Sequence, residues 1–424
     1  MKRAFTIGLL LALPLCSMAQ TLEACIAKAR DNYPEIRRHD LIRHSRDYNV
    51  SNAIRGWLPQ VKLSAQASWQ NEVPEMPDAM NRMLAGSGTP MEGMQHDQYH
   101  VALSVTQPLW DGGASASARR LAEAQADVAQ KQSEVTLYAL EERVEEIYFA
   151  ILLLDKRAEQ LQQTLGLLES NLRKVEAMQK HGTAMASDQD VIRAEWLTAR
   201  QSLEQTGSTR RSYRRMLSYL VGSELEDSLT VPAEVRVSSL QPARPELAML
   251  GARKSMFEAE KSRLNADLRP RFSFFADCQY GYPGYDLFRS MQRSNWRLNA
   301  MFGLRMTWQL GALYTRQNDL RKIAVAQRQV DVDQDIFLFD THLKTMAEHE
   351  EITHLKKMLD SDRDILRLRQ QVRQANESKY ENGVTDVHTL TRAITDENQA
   401  ALALTARRIE LLQTQYRLKR TLNR

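Results

Sequence analysis

Proline and glycine are scarce, with 12 and 17 residues in a chain of 424. No proline occurs between Pro108 and Pro232, and none follows Pro283. Residues 312–382 contain neither proline nor glycine. With Gln, Glu, Arg, Leu and Ala plentiful, this composition leans towards long helices. Cysteine is rarer still: Cys16, Cys25 and Cys278 are the only three, too few for a disulfide framework or a cysteine-rich metal site. No block of one charge stands out. Lys and Arg number 57 against 53 Asp and Glu, a net +4, and nothing points to nucleic acid. Beyond the N-terminus no run of 18 apolar residues appears, which excludes a transmembrane helix. Phosphate loops and nucleophile elbows are absent as well. "HEEITH" (349–354) has one residue too many for a zinc-protease motif. His349 and His354 are five apart and so do not share a helix face. These absences argue against an enzyme.

The first residues read as an export signal. Lys2 and Arg3 precede the apolar run Ile7 to Cys16, and Ser17-Met18-Ala19 suits a peptidase site before Gln20. The rival is a lipoprotein signal acylated at Cys16, but Leu15 is larger than that box normally takes, so the pattern favours cleavage after residue 19.

The rest of the chain says the same thing twice. "YPEIRR" (33–38) returns as "RPELAM" (244–249), and each proline is followed 25 residues later by another, Pro59 and Pro270. "LSVTQPLW" (103–110) lines up with "LRMTWQLG" (304–311), and Gly182 with Gly383, both at an offset of 201. Duplicated spacing of this kind predicts two tandem copies of one unit. The copies cover residues 20–243 and 244–424, each reading helix, strand, loop, strand, long helix, turn, helix.

Four segments alternate strictly. Val61, Leu63, Ala65, Ala67 and Trp69 are interleaved with polar residues, as are Tyr99, Val101, Leu103 and Val105. Phe272 to Tyr280 and Trp296 to Trp308 follow the same period of two. The pattern predicts strands at about 60–71, 98–108, 270–281 and 296–309, with one apolar and one mostly polar face. Trp or Tyr at several strand ends resembles the girdles of membrane barrels. Residues 296–308 span about 40 Å of strand, enough to cross a bilayer core when tilted. Four strands cannot close, and open edges cannot face lipid, so several chains must share such a barrel; three would supply twelve strands.

Two long helices follow the strand pairs. Residues 312–382, as one helix, span about 100 Å. The counterpart at 115–180 is interrupted only by Gly166. Within it, Leu154, Ala158, Leu161, Leu165, Leu168, Leu172 and Val175 step by four and three, a coiled-coil seam. Met358, Ile365, Leu368, Val372 and Ala375 form a weaker version in the second copy. Each long helix ends at a glycine, in "KHGTAMASDQDVIRAEW" (180–196) and "YENGVTDVHTLTRAITDEN" (380–398). Glycine followed by a Thr, Ser or Asp cap is ordinary turn chemistry, but both turns fall at matching places in the two copies.

"NYPEIRR…GWLPQVKLSA", "VTQPLWDGG" (105–113) and the two glycine turns, in this order and duplicated, resemble the TolC-like outer-membrane efflux channels over nearly the whole mature chain. That resemblance implies a mainly α protein with a membrane β part. A homotrimer would share a twelve-stranded barrel in outer-membrane lipid, and long antiparallel coiled-coil helices would form a periplasmic tunnel. It also implies a periplasmic adaptor and an inner-membrane transporter as partners, with no catalytic residue, cofactor or metal. Gly182, Thr183 and Ala184 with Gly383, Val384 and Thr385 would be the adaptor-docking tips. Lys62, Gln66, Asn299 and Arg305 would line the barrel lumen. Positions where the family often carries acidic constriction residues read Thr389 and Arg392 here. The candidate gate is therefore Asp188, Asp190, Asp386 and Arg392. The loop 71–97 would face outwards with Met76, Met80, Met83, Met91 and Met94, read as gap fillers because soft-metal sites need defined geometry. The competing expectation is an exported coiled-coil scaffold or adhesin with a small β domain. It explains the helices but predicts no duplicated lipid-facing strands.

Overall fold

A computed structural model of the chain describes residues 20–86, 88, 91, 93–226, 228–235 and 242–422. The expected signal segment 1–19, with Cys16, lies outside the described residues. The element order is α1 (Leu22–Asn32), α2 (Glu35–Arg55), β1 (Gln60–Trp69), α3 (Asp78–Gly86), β2 (Asp97–Trp110), α4 (Ala114–Lys180), α5 (Ala186–Val221), α6 (Pro245–Asp267), β3 (Arg271–Tyr282), α7 (Leu287–Gln292), β4 (Arg297–Thr307), α8 (Ala312–Glu381) and α9 (Val387–Leu422). The chain divides into two compact units. One holds residues 1–39, 132–247 and 334–424; the other holds 40–131 and 248–333.

The second of these units contains the strands. They form one antiparallel sheet in the order β1-β2-β3-β4, leaving β1 and β4 as edges. Register follows the sequence alternation. Leu63 pairs with Leu103, Leu103 with Cys278 and Cys278 with Ala300, all on the apolar face. Lys62 is level with Ser104, Asp277 and Met301 on the other face. A bulge interrupts the β2–β3 pairing between Pro108 and Trp110, where proline has no N–H to give the ladder. The passage from β2 into α4 is made by "DGG". Asp111 accepts hydrogen bonds from the Gly113 and Ser115 amides at 2.9 and 2.7 Å. Gly112, at φ +69°, lies where a Cβ would come within 2.8 Å of the Arg269 Cβ.

The first unit is helical. Tyr148, Phe149, Val144 and Ile151 of α4 are fully buried against Leu22 and Cys25 of α1, Leu217 of α5 and Tyr416 of α9. Truncating a buried aromatic such as Phe149 to alanine in a core of this kind costs about 3–5 kcal/mol. The Tyr148 hydroxyl lies 2.8 Å from the Gln20 carbonyl and 2.7 Å from that of Thr230, where the chain makes a single parallel bridge between Gln20 and Leu229. Arg420, almost fully buried on α9, pairs with Glu145 of α4 and lies over the Tyr138 ring. Burial pushes the Glu145 carboxyl up, and the hydrogen bond from Arg420 pulls it back only in part.

The seam expected in α4 is buried at Leu161, Leu168 and Val175 and half-buried at Leu154, Ala158, Leu165 and Leu172. Gly166 does not interrupt the helix, which runs unbroken from Ala114 to Lys180. The seam expected in α8 behaves differently. Ile365, Leu368 and Val372 remain exposed, while Ile352, Leu355 and Leu359 are the buried positions. One face of α8 packs within the protomer, and the face carrying the expected heptads does not.

Candidate channel wall and docking tips

The apolar sheet face is open to its surroundings. Val61, Leu63, Leu298, Phe302 and Leu304 are each 65–77 % exposed. Aromatic side chains gather at both strand ends. Tyr280 meets Trp296 edge-on, with centroids 5.5 Å apart, and Trp110 meets Phe272 at 5.9 Å. Soluble monomers rarely leave an apolar face of this size bare, whereas a bilayer core solvates one.

The opposite face carries all four expected lumen residues. Gln66 is level with His100, Gly281 and Arg297, while Asn299 is level with Gln279. Arg305 faces Ser273 across the β3–β4 pair. Lys62, Gln66 and Arg305 are exposed. Asn299 is half-buried and occupied: its Oδ1 accepts from the Tyr285 amide at 3.1 Å, and its Nδ2 donates to the Arg297 carbonyl at 3.2 Å. It fastens the β3–β4 loop.

In the helical unit the two glycine turns have the same local build. Gly182 and Gly383 sit at φ +76° and +69°, and each amide donates to a carbonyl three residues back at 3.0 Å. The next amide, of Thr183 or Val384, reaches back five residues, to Met178 at 2.9 Å or Lys379 at 2.8 Å. This pair of bonds satisfies the last helical carbonyls in a Schellman motif, for which the left-handed glycine is required. Val384 is 72 % exposed and Thr183 is exposed; Ala184 and Thr385 are half-buried. Behind the turns, Val175, Ile192, Tyr380, Val387, Leu390 and Ile394 close one apolar cluster, so the two tips share a core.

Among the described residues, no hydrogen bond or ion pair joins the four candidate gate residues to one another. Asp188 accepts from the Met185 amide at 2.9 Å and caps α5. Asp386 accepts from the Thr389 amide at 2.8 Å and caps α9, and hydrogen bonds from the Thr389 side chain and amide hold its carboxyl below the ordinary aspartate value. Asp190 and Arg392 are exposed, and among the described residues no ion pair joins either to the others. Sequence reasoning missed the charges that do meet. Lys174 of α4 reaches Glu377 and Glu381 of α8. Arg373 of α8 pairs with Glu377 and with Glu397 of α9. Only the Arg373–Glu377 spacing of four was visible in the sequence; the others span helices.

Residues 25–223 match the family model for outer membrane efflux proteins. The matched segment is just under half of the chain and falls within the first copy of the internal pattern. Among curated proteins, none matches the chain significantly. Solved structures do. The outer membrane protein VceC of Vibrio cholerae is similar at TM-score 0.69 and 15 % identity, with 95 % of each chain covered. The outer membrane channel CmeC of Campylobacter jejuni is similar at TM-score 0.65 and 13 % identity, covering 95 % of this chain and 85 % of that one. The open state of the MtrE outer membrane channel of Neisseria gonorrhoeae is similar at TM-score 0.68 and 14 % identity, covering 95 % and 88 %. The shared fold covers 95 % of this chain and so spans both copies of the internal pattern.

Proposed function

We propose that the chain is one third of an outer-membrane channel-tunnel, the passive outer conduit of a tripartite efflux system reaching from the periplasm to the outside. The observation that carries this reading is the four-stranded sheet, with one bare apolar face and two unpaired edges. Backbone groups on those edges have no partner in lipid, so the sheet is tenable in a membrane only when other copies complete it. Three copies give a twelve-stranded barrel, within the range of closed membrane barrels. The unpacked heptads of α8, Ile365, Leu368 and Val372, supply a second contact for a neighbouring copy. A scaffold or adhesin would need its sheet face covered by protein, and the protomer does not cover it.

In this reading residues 20–243 and 244–424 are tandem repeats of one hairpin-and-helices unit. The tips at Gly182–Ala184 and Gly383–Thr385 receive the periplasmic adaptor, which couples the channel to an inner-membrane transporter. Asp188, Asp190, Asp386 and Arg392 stand near the periplasmic entrance. Lys62, Gln66, Asn299 and Arg305 face the aqueous lumen, and lipid faces the apolar side. Passive conduction of this kind asks no covalent step of the chain.

The test is the mass of the detergent-extracted protein together with its conductance in a planar bilayer. A trimer that inserts and passes ions supports the reading. A protein extracted without detergent, with no conductance, would return the sheet to a covered, non-membrane role.

A further inference from the structure

We propose that the barrel lumen selects for negatively charged solutes, so that this conduit serves anionic cargo. The inference rests on the reading above, in which the polar sheet face lines the pore. Strand register places Lys62, Arg271, Arg297 and Arg305 on that face, against Asp277 as its only acid. Arg271 pairs with Asp267 at 2.7 Å. Among the described residues no ion pair involves Lys62, Arg297 or Arg305, so each protomer presents three cations against one carboxylate. His100, level with Arg297, adds charge of the same sign whenever it is protonated. Rings of like charge around a pore set its ion preference.

One of these cations is held in place. Phe275 is the aromatic exception on the polar face, and Gly303 is its partner across the strand pair. A Cβ at Gly303 would lie 3.1 Å from the Phe275 ring, so any larger residue would push the ring away from β4 by a few tenths of an ångström. The Arg305 guanidinium then rests 4.4 Å from the ring centroid. A planar cation on an aromatic platform is oriented and only partly desolvated, available to a passing anion. Gly303, Phe275 and Arg305 thus form one device. Opposing charge lies elsewhere: Glu72, Glu75 and Asp78 are exposed in the β1–β2 connection, Asp97 ends β2 on the apolar face opposite Trp69, and Asp286 in the β3–β4 loop pairs with Arg289. In these loops a carboxylate is screened within about 8 Å at physiological ionic strength.

The experiment is a reversal-potential measurement on the reconstituted full-length protein in a planar bilayer under a potassium chloride gradient. The expected sign is that of chloride preference. K62E combined with R305E is expected to shift the reversal potential towards the potassium side. F275A alone is expected to shift it less, in the same direction. Should the charge-reversed variant fail to insert, K62Q with R305Q provides the same comparison with a milder change. Potassium preference in the unmodified channel overturns the inference while leaving the conduit intact, as does a chloride preference that neither variant moves. No conductance from an inserted trimer overturns the conduit reading and this inference together.

Discussion

The Nζ of Lys174 lies 3.0 Å from Oε1 of Glu377 and 2.7 Å from Oε1 of Glu381, joining α4 to α8 just behind the two tip glycines. Lys174 is 40 % exposed, so this contact is screened by salt and locates the helix ends more than it stabilises the fold. K174A should therefore leave trimer assembly intact. It should speed amide hydrogen exchange around residues 178–186 and 380–386, with no change around Tyr148 and Phe149. Unchanged exchange at the tips would mean that the apolar cluster alone sets their stability.

Gly182 separates backbone strain from docking. Its Cβ would meet nothing within 4 Å, so substitution meets only the positive φ. That costs about 1 kcal/mol for any L-residue. G182A and G182W should lower thermal stability to a similar degree, yet only the tryptophan should block pull-down by a periplasmic adaptor. Equal binding by both variants would remove this tip from the docking surface.

Gly281 is a stricter case. A Cβ there would come within 2.2 Å of the Tyr99 carbonyl and 2.4 Å of the His100 Cα, both backbone atoms of the neighbouring strand. G281A should break the β2–β3 pairing near its outer end and reduce the fraction of protein recovered as membrane-inserted trimer. G251A, on a helix with open space around it, is the control expected to assemble normally.

Asp386 makes the second tip acid-sensitive. Its carboxyl is held below the ordinary value of 3.8, chiefly by its hydrogen bond to Thr389. A group with a depressed folded pKa stabilises the fold above its unfolded pKa and loses that contribution as pH falls through the folded one. Amide exchange in the first turn of α9 should thus rise, beyond the intrinsic pH effect, as pH drops below about 3.8. D386N keeps a good cap but should abolish this response, while D386A should speed exchange at every pH.

The strands were legible because a period of two admits one geometry. The alternation read over 61–69 and 272–280 lies within strands observed at Gln60–Trp69 and Arg271–Tyr282. The long helices were legible from missing punctuation, and the tips from their glycines. What the sequence hid is mostly pairing at a distance. Nothing local to Arg420 announces Glu145, 275 residues away, as its buried partner. The short helices α3 and α7, within the two strand-connecting loops, carry too few turns for a period to register. Asp188 and Asp386 cap α5 and α9, a role the Asp-rich turns offer in the sequence itself. Ile365, Leu368 and Val372 show the opposite limit. Their heptad spacing was plain, but spacing does not say whether the partner lies in the same chain.

The unpaired edges of β1 and β4 carry one more consequence. A lone protomer has no resting state: in water its sheet exposes a greasy surface, and in lipid it exposes bare amides and carbonyls. Closure of the sheet, its insertion and assembly are then coupled by mass action. Trimer yield should depend steeply on how many copies arrive together, and dilution should favour loss over storage. Cells that thin the supply of this protein would lose channels faster than they lose chains.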